Sequence, residues 1–209
     1  LAADPAVIAE SETFRSELVA DKVVLGVDRL DYTKGLLLRF EAFERFLEAY
    51  PELHGKVSMF QIATPSRTGI PAYDQLKREV EEAVGRINGR FAEGAWSPLH
   101  YRYRAFTQAE LAALYRAADV ALLPPLRDGM TLVAHEFAAV SAAASREGHP
   151  PAALVLSELT GAADYLGGAV CVNPYDTDGL VRALRAALDL PRDEKRRRLN
   201  EMQGAVREL

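Results

Sequence analysis

The feature that most narrows the folds open to this chain is a rhythm. Short, continuous apolar runs alternate with longer stretches of helical period. Lys22-Val-Val-Leu-Gly-Val-Asp28 is apolar without alternation, as strands buried on both faces of a parallel sheet are. Beyond a polar turn, Leu37, Phe40, Phe43, Phe46 and Leu47 recur at helical spacing between Leu36 and Tyr50, and Pro51 stops the helix. Lys56 to Ala63 is the second expected strand, closed by the turn Pro65-Ser-Arg-Thr-Gly69. Pro71 opens a long charged helix to about Arg90, with Leu76, Val80, Val84 and Ile87 on one face.

The same beat runs to the end of the chain. Leu99 to Arg104 reads as strand, and Gln108 to Ala118 as helix with Thr107 at its N-cap. Asp119 to Leu123 is a strand ended by Pro124-Pro125, and Gly129 to Ser145 an Ala-rich helix followed by a linker, Arg146 to Pro151. Ala153 to Ser157 and Ala169 to Asn173 are strands, with a short helix, Thr160 to Leu166, between them. Asp176 to Leu190 and Pro191 to Leu209 are the closing helices. Such alternation requires βαβ units, right-handed crossovers and a parallel sheet. The expected fold class is therefore α/β, a single doubly wound parallel sheet over 22–209, with 1–21 as a connector or lead-in helix.

Composition excludes several functions. The chain's 209 residues can bury a core without disulfide or metal staples. Against 30 Asp+Glu stand 25 Lys+Arg, a net charge of −5, which argues against nucleic-acid or anionic-membrane partners. There is no apolar run of about eighteen residues and no leader-like start, so a cytoplasmic location is expected. Cys171 is the only cysteine and reads as a core thiol; the four histidines lack metal-ligand spacing, and only His135 falls near the cleft. No metal site is expected.

In an open α/β sheet, ligands bind beyond the carboxyl ends of the strands. The segments there are Arg29-Leu-Asp-Tyr-Thr-Lys-Gly35, Ser66-Arg67, Ala105-Phe106-Thr107, Arg127-Asp-Gly-Met-Thr-Leu-Val-Ala-His-Glu136 and Glu158-Leu-Thr-Gly161. Their chemistry is that of an anion site. Arg29 and Lys34 flank a turn running into a helix begun at Gly35, and with backbone N–H groups they can neutralise a diphosphate. At about 4 Å and an effective dielectric of ~20, each cation contributes on the order of a few kcal/mol, enough without a metal. The plainer alternative is an Arg29–Asp31 pair.

Gly129 allows close backbone approach, and the amides of Thr131, Leu132 and Val133 are the expected open donors of the following helix. Asp128 and Glu136 stand about two turns apart, so both can face the cleft, and a carboxylate there can accept from a ribose diol. An N-cap role for Asp128 and a solvated position for Glu136 remain open. Neither a GxGxxG nor a Walker loop is present, which disfavours dehydrogenases and P-loop enzymes. His100-Tyr-Arg-Tyr-Arg104 reads as strand rather than nucleic-acid patch, and Lys195-Arg-Arg-Arg198 as a solvated helix face.

Taken together, Val27-Asp-Arg-Leu-Asp-Tyr-Thr-Lys-Gly35, Gln61-Ile-Ala, Ser66-Arg67, Gly85-Arg-Ile-Asn-Gly89 and Pro125 to Glu136 closely resemble trehalose-6-phosphate synthases. Leu156-Ser157, Gly161-Ala-Ala163 and Val172-Asn-Pro-Tyr-Asp176 extend the likeness over about residues 22 to 190. The resemblance implies a retaining glycosyltransferase of GT-B architecture, with two Rossmann-like domains across a cleft, of which this chain is the carboxy-terminal, donor-binding one. It implies glucose transfer from a nucleotide diphosphate sugar, usually UDP-glucose, to glucose-6-phosphate, without a metal and by front-face substitution.

Residue by residue, the likeness implies that Arg29 and Lys34 grip the diphosphate and that Arg67 meets the acceptor phosphate. Phe106 lies at the nucleobase, Asp128 contacts the transferred glucose, and Glu136 holds the ribose hydroxyls. Gly129, Met130, Thr131, Leu132 and Val133 offer backbone contacts. Arg29, Lys34 and Asp128 form the catalytic set. Thr131 stands where Asn is expected and His135 where Lys is expected, which touches acceptor geometry and local charge. The amino-terminal domain of such enzymes would be the missing partner, an isolated chain would lack turnover, and the whole protein is open to homo-oligomerisation. A glucosyltransferase using another acceptor, such as glycerol-3-phosphate, and a non-catalytic nucleotide-sugar module remain the alternatives.

Overall fold

The first strand, β1 (Lys22–Arg29), sits at the centre of the sheet, and its residues Val23 to Val27 are buried. The structure, a computed structural model, describes residues 1–207. β1 pairs in parallel along its length with β2 (Val57–Thr64), Lys22 opposite Val57 and Arg29 opposite Thr64. On its other side lies β4 (Val120–Leu123), with Val24 opposite Val120. β3 (Leu99–Arg102), β5 (Ala153–Ser157) and β6 (Val170–Val172) complete six parallel strands in the order β3-β2-β1-β4-β5-β6. Burial on both faces is why the central strands read as unbroken apolar runs.

Helices cover both sides. α2 (Leu36–Ala49), α3 (Pro71–Phe91) and α6 (Thr177–Asp189) enclose one core, in which Phe40, Phe43 and Phe46 are wholly buried. Each such side chain contributes ~1.5–3 kcal/mol relative to exposure. α1 (Pro5–Glu17), α4 (Gln108–Ala117), α5 (Leu132–Arg146) and α7 (Arg192–Arg207) lie over the second core, built around Phe60, Leu114, Phe137, Leu154 and Leu199. α1 docks on α4 through Val7, Ala112 and Ala113, and Arg15 reaches Asp119 at 2.5 Å.

The strand order places the topological switch between β1 and β4, because the chain winds outward through β2 and β3 before returning. The loops leaving those two strands therefore face each other across the carboxyl edge. Among the described residues no helix is long and apolar enough to cross a membrane.

Several boundaries differ from the sequence expectations. α5 begins at Leu132 rather than Gly129, because Thr131 adopts left-handed angles (φ 41, ψ 63) and breaks the helical path. β3 ends at Arg102, and the segment expected as a helix over 160–166 is a 3₁₀ turn, Gly161–Asp164. Arg146 ends α5 rather than opening a linker. Cys171 is exposed rather than a core thiol, because β6 is an edge strand of the sheet. Lys195 departs from the solvated face given to its neighbours. It is buried, its Nζ donates to the Leu188 carbonyl at 3.4 Å, and burial lowers its pKa. Residues 208 and 209, which the sequence assigns to the last helix, lie outside the described residues.

Candidate functional site

The loop after β1 is shaped by its own side chains. Asp31 accepts from the Thr33 amide at 3.0 Å and from the Thr33 hydroxyl at 2.9 Å, which caps the 3₁₀ turn Tyr32–Lys34. Gly35 then takes φ 64, where a Cβ would stand 2.9 Å from the Leu126 side chain, and α2 starts at the next residue. The Thr33 carbonyl accepts from the amides of Leu126 at 2.8 Å and Arg127 at 3.2 Å, which fastens this loop to the one after β4.

This docking brings two expected residues into contact. Lys34 Nζ donates to Asp128 Oδ2 at 2.5 Å, and the Thr131 hydroxyl donates to the same oxygen at 3.1 Å. Asp128 is therefore no N-cap, and α5 has no side-chain cap. The Thr131 and Thr160 hydroxyls lie 2.6 Å apart, so the loop after β5 joins the cluster. Gly161 shows how closely: a Cβ there would fall 2.6 Å from the Gly129 carbonyl oxygen.

Arg29 is exposed and has no ion pair among the described residues, so the Arg29–Asp31 pair is not formed. Burial acts to raise the Asp31 pKa, but the Thr33 and Tyr73 hydrogen bonds and the Arg29 charge outweigh it and hold the carboxyl below its ordinary value. The left-handed Thr131 leaves Leu132 and Val133 as the first-turn residues of α5. Among the described residues their amides have no recorded acceptor, whereas the Ala134 amide bonds the Thr131 carbonyl at 2.8 Å. An open helix start beside the Lys34 ammonium offers the backbone donors and positive charge that an anion needs. Thr131 itself is not one of the first-turn donors, contrary to the sequence expectation, because it is the turn residue.

The remaining expected residues lie on the loops after β2, β3 and β4 and on the first turns of α5. Arg67, at φ 49, lies after β2 and donates to the Tyr73 hydroxyl at 3.1 Å; that hydroxyl donates to Asp31 at 3.3 Å. Phe106 is half-buried after β3, with the Arg104 guanidinium 3.6 Å over its ring, and borders a cavity of about 450 Å³ between α1, β3 and α4. Glu136 is exposed and accepts from the buried Tyr115 hydroxyl at 3.0 Å. Gly129, Met130 and Val133 line the open turn, with Met130 and Leu132 exposed. His135 is buried, with Nδ1 3.4 Å from the Thr131 carbonyl and Nε2 without a partner among the described residues.

Sequence reasoning missed Asp28, Arg39, Gln61 and Tyr115, all of which stand behind these residues. Arg39 carried a signal: it is a cation on the apolar face of α2, three residues after Leu36 and four before Phe43.

A family model described as Glycosyltransferase family 20 matches residues 1–208. The chain is 46% identical over 204 residues to a bifunctional trehalose-6-phosphate synthase/phosphatase of Thermoproteus tenax, covering 98% of this chain and 27% of that protein. Among solved structures it is similar to a UDP-forming alpha,alpha-trehalose-phosphate synthase of Burkholderia xenovorans in complex with glucose-6-phosphate, with a TM-score of 0.88 and 42% identity. That match covers 97% of this chain and 46% of the other. An E. coli structure described as trehalose-6-phosphate bound with UDP-2-fluoro glucose aligns with a TM-score of 0.87 and 37% identity, again over 97% of this chain and 46% of that one. The chain thus spans less than half the length of these relatives. With one family model covering nearly every residue, the chain belongs to glycosyltransferase family 20.

Proposed function

We propose that this chain is the donor-binding half of a trehalose-6-phosphate synthase, which transfers glucose with retention from UDP-glucose to glucose-6-phosphate. The observation that carries the reading is the contact of Lys34 with Asp128 beside the open first turn of α5, at the switch between β1 and β4, with Arg29 exposed at the end of β1. The relatives' bound molecules, glucose-6-phosphate and UDP-2-fluoro glucose, support the two substrate classes.

In this reading the diphosphate lies between Arg29, Lys34 and the amides of Leu132 and Val133. Charge building on the leaving diphosphate is met by these fixed donors, so no metal is required. Lys34 has three N–H donors, of which Asp128 occupies one. It can hold a phosphate and still orient the Asp128 carboxylate toward a glucose hydroxyl. Glu136, aimed by Tyr115, accepts from the ribose diol, Phe106 flanks the base, and Arg67 meets the acceptor phosphate. Acceptor groups beyond Arg67 belong to the portion of the relatives that this chain does not match.

Calorimetric titration of the chain with UDP and with uridine tests the reading. Charge reversal, Arg29→Glu, is expected to weaken UDP by ~100-fold or more, since a cation near a phosphate is worth a few kcal/mol and is replaced by repulsion. Uridine is expected to change little. Equal losses for the two ligands would remove the phosphate role of Arg29.

A further inference from the structure

The proposed chemistry leaves unused the one charged side chain that is wholly out of solvent among the described residues. Arg39, on the first turn of α2, has 0% exposure and so cannot touch a ligand. Its Nη1 donates to Asp28 Oδ2 at 2.5 Å and to Gln61 Oε1 at 2.8 Å, and its Nη2 donates to the Lys34 carbonyl at 3.3 Å. The Gln61 amide in turn donates to Asp28 Oδ2 at 3.4 Å and to the Ile62 carbonyl at 2.8 Å. Among the described residues Arg39 Nε has no partner, so the group is not arranged to satisfy the guanidinium completely.

A buried ion pair adds little net stability, because desolvation offsets the Coulomb attraction, and packed apolar side chains can fill such a space equally well. Apolar groups cannot, however, hold the Asp28 carboxylate and the Lys34 carbonyl by directional bonds. Asp28 immediately precedes Arg29, and the Lys34 carbonyl closes the same loop. One planar guanidinium therefore spans the entry and exit of the segment that carries both cations.

We infer that Arg39 is the positioning residue of the anion-binding loop: by holding Asp28 and the Lys34 carbonyl together, it sets the separation at which Arg29 and Lys34 meet a diphosphate. The inference rests on the diphosphate reading of those two cations. It predicts that loss of the bridge harms phosphate recognition without harming recognition of the nucleoside.

The test titrates the chain and its variants with UDP, uridine and inorganic diphosphate, with thermal unfolding measured alongside. Arg39→Lys keeps the charge beside Asp28, but a single ammonium cannot serve Asp28, Gln61 and the Lys34 carbonyl in the fork geometry. UDP and diphosphate are expected to bind about tenfold more weakly, ~1.4 kcal/mol, with uridine unchanged. Should that variant fail to fold, Asp28→Leu/Arg39→Met/Gln61→Met replaces the network by apolar groups, and the same phosphate-specific loss is expected on a folded protein.

A folded variant that binds UDP as tightly as wild type overturns the inference, as does an equal loss for UDP and uridine. Failure of both variants to fold assigns the network to folding alone and also overturns it. The underlying reading fails separately: wild-type chain would then bind UDP no better than uridine. If wild type discriminates and Arg29→Glu abolishes the discrimination while Arg39→Lys preserves it, only the role of Arg39 falls.

Discussion

Alanine at Gly26 is the sharpest probe of how tightly the strand beneath the site is packed. Gly26 lies mid-β1 with an ordinary extended backbone, so its dihedrals tolerate any residue. At such a position, Gly→Ala on conformational entropy alone would stabilise by ~0.4–1 kcal/mol. Space decides otherwise. A Cβ would stand 2.1 Å from Gln61 Oε1 and 2.8 Å from Arg39 Nη1. Gln61 cannot simply swing aside, because its oxygen accepts from Arg39 and its amide donates to the Ile62 carbonyl, all in a buried layer.

Overpacking costs ~1–3 kcal/mol, and a buried donor left without its acceptor a further ~1–3. Less the entropic gain, the loss is about 3–4 kcal/mol. For a domain of this size, at ~2–4 °C per kcal/mol, the midpoint should fall by about 10 °C. Thermal and urea unfolding followed by circular dichroism would measure it, with the urea slope unchanged if both states keep their compactness. Gly89→Ala, in α3 where nothing lies within 4 Å of the added atom, is the control. It should stabilise by ~0.5–1 kcal/mol. A Gly26→Ala midpoint matching wild type would refute the rigid-network argument, and the positioning role of Arg39 would lose its structural basis.

Two further outcomes follow from the geometry. Thr131→Asn should raise the unfolding midpoint by a few degrees: a β-branched residue at φ 41 stores ~1–3 kcal/mol, Asn tolerates that region, and the lost hydroxyl bonds offset only part of the gain. A lower midpoint would show that the Asp128 and Thr160 contacts outweigh the strain. Glu110 closes a capping box on Thr107, and its pKa falls to about 2 through the Arg104 hydrogen bond and then the Thr107 amide. A depressed carboxylate stabilises the fold above its unfolded pKa and loses that contribution as pH drops through the folded one. The difference in urea midpoint between wild type and Glu110→Gln should therefore be full at pH 7 and shrink between pH ~4.5 and ~2. A difference constant across that window would refute the linkage.

How much could be read from the residues depended on the range of the interaction that places them. Thr107 and Glu110 announce a helix start because the capping bonds join residues three apart. Arg29 and Lys34 stood out because cations after a buried strand need a purpose. Cys171 was misjudged because an apolar triplet looks alike in a central and an edge strand, and only strand order separates the two. The start of α5 was misjudged because Thr131 is a poor left-handed residue; loop contacts with Asp128 and Thr160 hold it there against its local preference. Arg39 was missed, since its partners lie on β1, β2 and the preceding loop.

The sequence by itself determined the class of fold, the alternating elements and the supply of cations, carboxylates and glycines at the strand ends. These are properties of neighbours in the chain: period, capping and turn chemistry act over a few residues. Tertiary structure alone decided that β1 lies beside β4, so that Lys34 meets Asp128 at the open turn before α5. Strand order comes from burying both sheet faces at once, a collective packing problem that no local segment encodes.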